Sequence, residues 1–362
     1  MQAPDALLAF TEIPSMKETR YSDAGVDIAA ANEAKKRIIS AVKTTHGPQV
    51  LGGIGGFGGL FSTEGFPPNP VLVSSIDGVG TKLKIAFLLD RHDSIGEDIV
   101  NHCVNDILVQ GARPLFFMDY LATGKLEPGI VQKVVEGIAR ACILNSCALL
   151  GGETAEMPGF YTEGEYDLAG TIVGVVSRES ILTGEAIENG DVILGLASSG
   201  LHTNGYSLAR KVLLEMAQLS IEKTHPDLGR PLGDELLQPH RSYSPSILPL
   251  TESNLIRGMV HITGGGFGGN IPRVVPDRYK AVIKKGSWEV QPIFDLIARL
   301  GNVPEDEMYL TFNMGIGLIV IVADENASKM QEELRAAGET VYRIGIIENR
   351  EPDEEPVLFT NS

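Results

Sequence analysis

Cysteine and aromatic residues are scarce in this sequence of 362 residues. It contains three cysteines, one tryptophan and 6% aromatic residues in all. The odd number of cysteines and the lack of a Cys-x-x-Cys pair argue against a disulfide framework. Cys103, Cys142 and Cys147 all lie in apolar stretches, which predicts buried, reduced thiols in a cytosolic protein.

Long apolar runs are also missing. The longest strongly apolar run, residues 315–323, is far shorter than the ~20 residues that a membrane helix needs. Residues 1–5 lack the basic region of a secretory signal. We therefore expect a cytoplasmic protein without a membrane partner.

Basic residues are the minority among the charges. The 30 Lys and Arg residues stand against 47 Asp and Glu residues, for a net charge of −17. A field of that sign repels a phosphate backbone, so nucleic acid is not an expected partner. The 43% hydrophobic and 21% charged residues are ordinary for a folded protein, and at ~150 residues per domain the length predicts about two domains.

Hydrophobic periodicity predicts alternating strands and helices in both halves. Short apolar runs at residues 71–76, 168–176 and 318–322 are typical of buried strands, and the segments from Pro128 and over residues 206–216 have the spacing of helices. A new unit begins near residue 180. The sequence therefore predicts an α/β fold with two domains, residues 1–180 and 181–362.

The first candidate site follows a predicted strand, where residues 77–82 read Asp-Gly-Val-Gly-Thr-Lys. The two glycines let the backbone approach a ligand closely, and N–H groups at the start of the next helix favour an anion. Asp77 for a metal and Lys82 for phosphate oxygens suit a Mg²⁺-bound phosphate. An ordinary Asp-Gly turn is the alternative.

Two more groups of polar residues lie close to predicted element ends. One face of the predicted helix at 96–110 carries short polar side chains, at Asp98, His102, Asn105 and Asp106. They favour a metal or ligand wall, with a solvated helix face as the alternative. Glu153 follows a buried strand and is a candidate metal ligand or orienting base, while Glu156 fits a surface charge equally well.

A glycine-rich stretch at residues 52–59 contains the pattern Gly-x-Gly-x-x-Gly. That pattern binds a dinucleotide only between a strand and a helix, and here a helix precedes it and a loop follows. The stretch is better interpreted as a mobile loop, either plain surface or a lid. No Walker A pattern occurs in the chain, which excludes P-loop chemistry.

The second half contains two turns with candidate site residues. His202 lies in the turn at residues 198–207, which is crowded with hydroxyl and amide donors; a structural histidine is the alternative. A glycine-rich segment at residues 264–269 precedes Arg273. Its N–H groups and that guanidinium are candidates for a dianionic phosphate, with a flexible turn as the alternative.

Seven blocks together resemble one family, and they occur in order over nearly the whole chain. They read YSDAGVDI, IDGVGTK, HCVNDILVQGARPLFFMDYLATGK, GGETAEMPG, SSGLHTNGYSL, HITGGGFGGNIPRVVP and EMYLTFNMGIG. The resemblance is to aminoimidazole ribonucleotide synthetase, also called phosphoribosylformylglycinamidine cyclo-ligase, of purine biosynthesis. Seven ordered blocks are far more specific than any single glycine motif.

The resemblance implies a fold and a reaction. ATP phosphorylates the formamide oxygen of formylglycinamidine ribonucleotide, and the amidine nitrogen then attacks the activated carbon to close the imidazole ring. The family resemblance further implies α+β-type sheets, a mixed sheet in the C-terminal domain, and a homodimer whose N-terminal sheets pair into a barrel. ATP and Mg²⁺ are the implied co-substrate and cofactor.

The resemblance also implies roles for particular residues. The metal ligands would be Asp77, Asp106 and Glu153. The residues that contact ATP would be Gly78, Gly80, Thr81, Asn105, Asp106 and Gly152. Contacts to the substrate would come from Asn204, Gly264, Gly265, Gly266 and Arg273. The catalytic residues would be His202, Asp77 and Lys82, with His202 polarising the reacting amide or transferring its proton, and the loop at residues 52–59 would close as a lid.

Three other functions remain as alternatives. A small-molecule kinase of the same fold superfamily, similar to thiamine-monophosphate kinase, would also use Asp77 but leaves the blocks around His202 and Arg273 unexplained. A catalytically silent nucleotide-binding protein would bind ATP without forming ADP. An oxidoreductase would depend on the glycine-rich stretch and would bind NAD.

Overall fold

The structure is a computed structural model that describes residue 18 and residues 20–361. Its helices are α1 (Ile28–Thr44), α2 (Leu83–Leu89), α3 (Ile95–Leu108), α4 (Pro128–Leu144), α5 (Tyr206–Arg210), α6 (Leu232–Leu236), α7 (Ser244–Thr251), α8 (Gly266–Asn270), α9 (Pro292–Gly301), α10 (Glu305–Thr311) and α11 (Asp324–Ala336). Its strands are β1 (Pro70–Gly78), β2 (Arg113–Thr123), β3 (Ala148–Glu156), β4 (Tyr166–Ser177), β5 (Val192–Ala197), β6 (Thr224–His225), β7 (Arg230–Pro231), β8 (Ile256–His261), β9 (Tyr279–Lys284), β10 (Ile316–Val322), β11 (Val341–Asn349) and β12 (Val357–Thr360).

The first sheet is mixed and has the order β1-β4-β2-β3. β4 pairs antiparallel with β1 and β2, whereas β2 and β3 run parallel. The parallel pair needs a crossover, and α4 supplies it. Side chains alternate along β1 between half-buried and exposed positions, so one face of the sheet packs on helices and the other is left open.

α3 and α4 cover the inner face of this sheet and approach each other closely. At Gly96 of α3, an added Cβ would lie 2.2 Å from the backbone oxygen of Val134 in α4. Gly137 of α4 is similarly confined, because an added Cβ there would lie 2.6 Å from the backbone oxygen of Asp93. Glycine at this crossing therefore fixes the position of α3 against the sheet.

The second sheet has six strands in the order β12-β9-β11-β5-β10-β8. All its pairs are antiparallel except β12 with β9. β10 is buried along its whole length, because it is paired on both edges, with β5 and β8, and both of its faces are covered. β8 forms one edge and ends at His261, and the contact of that ring with Asp106 of α3 places the carboxyl end of β8 against the first half.

The predicted α/β fold with two mixed sheets is confirmed, although some elements differ. The helix predicted over residues 206–216 is α5 continued by a π-helix, Lys211–Met216. The short strands β6 and β7 and the edge strands β8 and β12 were not predicted. A single chain contains no closed barrel among residues 20–361, so the barrel shared by two copies stays a prediction. None of the described helices is long and apolar enough to cross a membrane.

Candidate active site

A cleft of about 300 Å³ lies between the two halves of the chain. Its first wall comes from β1 and α3, and its second wall comes from β8 and the segment after it. The polar residues that face it include Ser75, Asp77, His102, Asp106, His261 and Arg273. The structure therefore brings four residues that the sequence analysis named, Asp77, His102, Asp106 and Arg273, to one cavity.

The two aspartates of the cleft are each paired with an imidazole. Asp77 Oδ2 lies 2.8 Å from His102 Nε2, and Asp106 Oδ1 lies 2.8 Å from His261 Nδ1. Ser75 donates its hydroxyl to Asp106 Oδ2 at 2.9 Å. These contacts fix both carboxylates at the rim of the cleft.

The pKa values of both aspartates lie below their ordinary range. Burial acts to raise the pKa of Asp77, but the hydrogen bond and charge of His102 outweigh it. Burial likewise opposes ionisation of Asp106, and the contact with His261 more than compensates, so its pKa is also lowered. At neutral pH the cleft therefore presents two carboxylates.

Four imidazoles form a cluster behind these carboxylates. The rings of His202 and His240 stack at 4.0 Å between centroids, and His240 Nε2 lies 3.1 Å from His261 Nε2. Thr203 Oγ1 bridges His102 Nδ1 at 2.8 Å and His240 Nδ1 at 3.2 Å. The cluster connects the two walls of the cleft.

Burial determines the protonation state of most histidines in this cluster. It lowers the pKa of His202 and of His240 well below the ordinary value, and the neighbouring cationic groups act in the same direction. Burial also lowers the pKa of His261, against the effect of Asp106. For His102, burial is outweighed by the hydrogen bond to Asp77 and by the nearby carboxylates, so its pKa is raised.

His202 is buried behind the cleft and does not line it. Its side chain is 2% exposed, and its backbone is in the left-handed region at φ 60°, which is uncommon for a residue other than glycine. Nε2 accepts the N–H of Ser199 at 3.2 Å, so Nδ1 must carry the proton of a neutral ring. Nδ1 has no partner, so the ring offers one unused donor.

Two groups of side chains are close enough to hold a metal ion. Asp77, His102 and Asp106 offer ligand atoms within 4.8 Å of one another, and so do His202, His240 and His261. The first group supplies two carboxylates, the hard oxygen ligands that Mg²⁺ prefers. In the second group, the proton on His202 Nδ1 makes that ring a donor instead of a metal ligand.

Lys82 does not face the cleft. Its side chain is fully buried, and Nζ lies 2.7 Å from Asp98 Oδ1. Burial lowers the pKa of Lys82, against the charge of Asp98. A phosphate contact by Lys82, as the sequence predicted, is not available in this arrangement, because all three ammonium hydrogens bind protein oxygens.

Asn105 is also turned into the protein. Its amide nitrogen donates to the carbonyl of Arg241 at 2.8 Å, and its amide oxygen accepts the N–H of Tyr243 at 3.1 Å. The predicted polar face of α3 therefore has two parts. Asp98 and Asn105 bind backbone of the second half, whereas His102 and Asp106 face the cleft.

Glu153 and Gly152 lie apart from the other predicted ligands. They are in β3, at the opposite edge of the first sheet from Asp77 in β1. Three strand spacings separate the two edges, which is about 14 Å. Within one chain the predicted ligand Glu153 therefore does not join Asp77 and Asp106.

The predicted ATP-binding residues Gly78, Gly80 and Thr81 follow directly after Asp77. Gly78 N donates to Asp77 Oδ1 at 2.7 Å, and Gly80 is in the left-handed region at φ 71°. Thr81 Oγ1 lies 3.0 Å from Ser207 Oγ of the second half. The turn thus stays beside the cleft and continues into α2.

The predicted phosphate site of the second half forms one compact turn. An added Cβ on Gly264 would lie 3.2 Å from Asn204 Oδ1, so these two residues are neighbours. Asn270 Nδ2 donates to the carbonyl of Gly266 at 2.8 Å and holds the turn in shape. Gly265 and Gly266 both have positive φ, at 91° and 55°, which a residue with a side chain adopts only with strain.

The sequence did not indicate His240 and His261 as site residues. His261 was visible as the first residue of the block HITGGG, directly after an apolar run, and that position was a usable signal. His240 lies in a proline-rich stretch without a clear pattern. Only the three-dimensional contact with His202 and His261 gives it a place in the cluster.

Two family models cover most of the chain. Residues 63–176 match AIR synthase related protein, N-terminal domain, and residues 188–355 match AIR synthase related protein, C-terminal domain. Together with the mixed sheets and the cleft between them, these matches define the chain as an AIR synthase related protein.

Curated relatives narrow the family further. The chain is 54% identical to phosphoribosylformylglycinamidine cyclo-ligase of Citrifermentans bemidjiense over 91% of this chain and 96% of that protein. It is 55% identical to the cyclo-ligase of Desulfitobacterium hafniense over 90% and 95%. The chain belongs to the phosphoribosylformylglycinamidine cyclo-ligase family.

Solved structures share the fold at lower identity. Thiamine-monophosphate kinase from Stenotrophomonas maltophilia has a TM-score of 0.66 at 18% identity, over 90% of this chain and 95% of that chain. Hydrogenase maturation protein HypE in complex with ATP has a TM-score of 0.65 at 18% identity, over 91% of both chains. At this identity the likeness establishes the fold alone.

Proposed function

We propose that this chain is a phosphoribosylformylglycinamidine cyclo-ligase that converts formylglycinamidine ribonucleotide to aminoimidazole ribonucleotide with ATP. The observation that carries the proposal is the pairing of Asp77 and Asp106 with imidazoles in one cleft, in a chain 54% identical to named cyclo-ligases over nearly its whole length.

The proposed reaction has two steps. The γ-phosphoryl group of ATP is transferred to the formamide oxygen, which releases ADP. The amidine nitrogen then forms a bond to the activated carbon, the carbon–oxygen bond to phosphate breaks, and phosphate leaves. The nitrogen loses one proton in this step, so the site needs a charged clamp for phosphate and a proton acceptor.

Asp77 and Asp106 are the proposed ligands for Mg²⁺. Both are carboxylates at neutral pH, and their oxygens lie close enough to share one ion. A bound Mg²⁺ would supply charge neutralisation of the ATP phosphates. Gly78, Gly80 and Thr81 are proposed to line those phosphates, Gly80 and Thr81 with their backbone N–H groups, which fits their place directly after Asp77.

The proton of the amidine nitrogen is proposed to leave with the departing phosphate, beside the Asp106–His261 pair, because His261 Nε2 already faces His240 Nε2. His261 lines the cleft, burial keeps the ring neutral, and Asp106 fixes the proton of the ring on Nδ1. His202 is proposed as a neutral hydrogen-bond donor behind this pair. That role is narrower than the proton transfer considered from sequence, because Nε2 already accepts the Ser199 N–H.

Arg273 and the turn at Gly264 to Gly266 are proposed to bind the ribonucleotide phosphate. Arg273 lines the same cleft as the two carboxylates, and its guanidinium suits a dianion. Asn204 adjoins the turn and is proposed to contact the same ligand. The loop at residues 52–59 is proposed as the lid; its Phe57 side chain is fully exposed in this conformation.

We further propose a cytoplasmic homodimer formed through the open face of the first sheet. That face carries exposed apolar side chains at Leu72 and Ile76 of β1 and at Met118 and Tyr120 of β2. A row of this kind is typical of an interface. The domain boundary near residue 180 is part of the same proposal, since the strands of the first sheet end at Ser177 and those of the second begin at Val192.

A turnover assay tests the proposed function. Formylglycinamidine ribonucleotide, ATP and Mg²⁺ are supplied, and ADP and the diazotisable aminoimidazole product are followed together. Equal amounts of both products support the cyclo-ligase. ADP without the amine would contradict it and indicate a kinase or an uncoupled ATPase.

A further inference from the structure

A buried ion pair lies beneath the imidazole cluster and has no part in the reaction described above. Lys82 and Asp98 are both fully buried, and their charged atoms are 2.7 Å apart. Lys82 Nζ also donates to the carbonyl oxygens of Gln238 at 2.6 Å and of His202 at 3.3 Å. The ammonium thus directs two of its three hydrogens at the backbone of the second half.

Asp98 and its neighbours on α3 extend this contact along the same backbone segment. Asp98 Oδ1 accepts the N–H of His240 at 2.7 Å, and Asn101 Nδ2 donates to the carbonyl of His240 at 2.7 Å. Asn105 binds the next residues, as described above. We call Lys82, Asp98, Asn101 and Asn105 the clamp, because together they hold the backbone of residues 238–243.

A gain in folding stability does not explain why Lys82 and Asp98 carry charges. Removing two charges from water costs about as much as their attraction returns, so apolar residues of similar volume are often as stable. Asp98 Oδ2 is buried without any hydrogen-bond partner, which is a further cost. Apolar residues, however, would supply no hydrogen-bond donors or acceptors to fix two separate backbone segments.

The path from the clamp to the cleft is short. His240, whose N–H is held by Asp98, stacks on His202 and contacts His261 through its ring. His261 lines the cleft and binds Asp106. A shift of the backbone at His240 would therefore move the imidazole that faces the substrate.

We propose that the Lys82–Asp98 pair is a positioning element for the imidazole cluster. It sets the backbone at His202 and His240, and through the ring of His240 it holds His261 in its orientation toward the cleft. The chemical role of His261 in the cleft rests on the proposed function. The position of its ring does not.

The test removes both charges and keeps the volume, in the double variant Lys82→Met with Asp98→Asn. We expect kcat to fall by roughly 10²-fold, as a displaced catalytic group would cause, while KM for ATP changes less than about threefold. Nitrogen-15 spectra of the histidine rings should show altered signals for His240 and His261 in the protein without ligands. Glu97→Gln, on the same helix and paired with Arg140 at the surface, is the matched control and should leave kcat unchanged.

Chemical rescue separates position from folding. Lys82→Ala should regain part of its kcat with n-propylammonium, which restores the missing charge, and not with n-propanol, which has the same length. If the double variant does not fold, the single variant Asp98→Asn replaces it in the test. This variant should also lower kcat and leave KM for ATP unchanged.

Three results would overturn the proposal. These are a folded double variant with the kcat of the wild type, a raised KM for ATP with kcat intact, and unchanged ring spectra. The ring spectra test the positioning proposal even if the wild type makes no aminoimidazole. A wild type without that product would contradict the proposed function alone.

Discussion

At the scale of single residues, the site depends on close approaches that leave no room for a side-chain atom. Gly317 in β10 is the sharpest case. A Cβ added there would lie 2.1 Å from Tyr243 Oη and 2.5 Å from His202 Cε1. The backbone of β10 is therefore part of the support for the His202 ring.

Gly317→Ala should lower both stability and turnover. Overpacking of this kind costs about 1–3 kcal/mol, and the displaced His202 ring should disturb the stacked His240. Urea denaturation and kcat measure the two effects. Adding Tyr243→Phe removes one of the two clashing atoms, so stability should partly return while kcat stays low. Full activity in the Gly317→Ala single variant would show that His202 does not need its present position.

Asp106 should contribute stability that depends on pH. Its pKa in the folded protein is lowered by His261 against the effect of burial, so the contribution is present above the unfolded pKa near 3.9 and is lost as pH falls through the folded value. Asp106→Asn should therefore be less stable than the wild type at pH 7, and the difference should close toward pH 3. Asp353→Asn, at an exposed carboxylate, is the control and should show no such difference. A gap that persists unchanged at low pH would show that the charge of Asp106 is not its source.

At the scale of elements, the position of α3 decides the geometry of the cleft, because this helix carries both His102 and Asp106. Gly96 allows α3 to lie against α4, where an added Cβ would meet the oxygen of Val134 and the nitrogen of Ile138 at 2.2 and 2.3 Å. Backbone atoms cannot turn aside as a flexible side chain can.

Gly96→Ala should therefore destabilise the protein by at least about 1–3 kcal/mol and lower kcat, because α3 must move. Gly129→Ala in α4 has no atom within 4 Å of its added Cβ and is the matched control; it should be neutral or slightly stabilising. Equal stability of the two variants would mean that the two helices adjust without strain.

Elements with a strong periodic pattern were predictable, and the edges of the second sheet were not. β10 and β4 were found because their apolar runs are continuous or alternate clearly. β8 contains Arg257 and Gly258 within six residues and follows the proline-rich stretch, so its sequence lacks a strand signature. Its pairing with β10 determines its structure, and that contact between distant residues is not visible in the local sequence.

The same reason limits prediction of the site. Asp77 and Arg273 were predicted because polar side chains and glycines follow regular elements, and Asp106 because it lies on the short polar face of α3; all three line the cleft. The buried contacts of Lys82 were not predicted, because its partners Gln238 and His202 lie more than 100 residues further along the chain. A lysine beside a glycine turn has the same local pattern whether it binds phosphate or the protein's own carbonyls.

At the scale of the whole molecule, the open face of the first sheet should control assembly. Leu72→Arg places a charge in the exposed apolar row and should convert the proposed dimer to a monomer, measured by light scattering after gel filtration. Leu144→Arg, an equally exposed leucine at the end of α4, is the control and should leave the dimer intact. A dimer that survives Leu72→Arg would place the interface elsewhere.

The two walls of the cleft are also synthesised at different times, because they lie far apart in the sequence. Asp77 and Arg273 face the same cavity but are separated by roughly 200 residues, which a ribosome takes about 10–40 s to add. Through that interval the first half can complete its sheet while its carboxylates still lack their opposite wall. The nascent chain therefore passes through a period in which the first half can fold while the cleft is still incomplete.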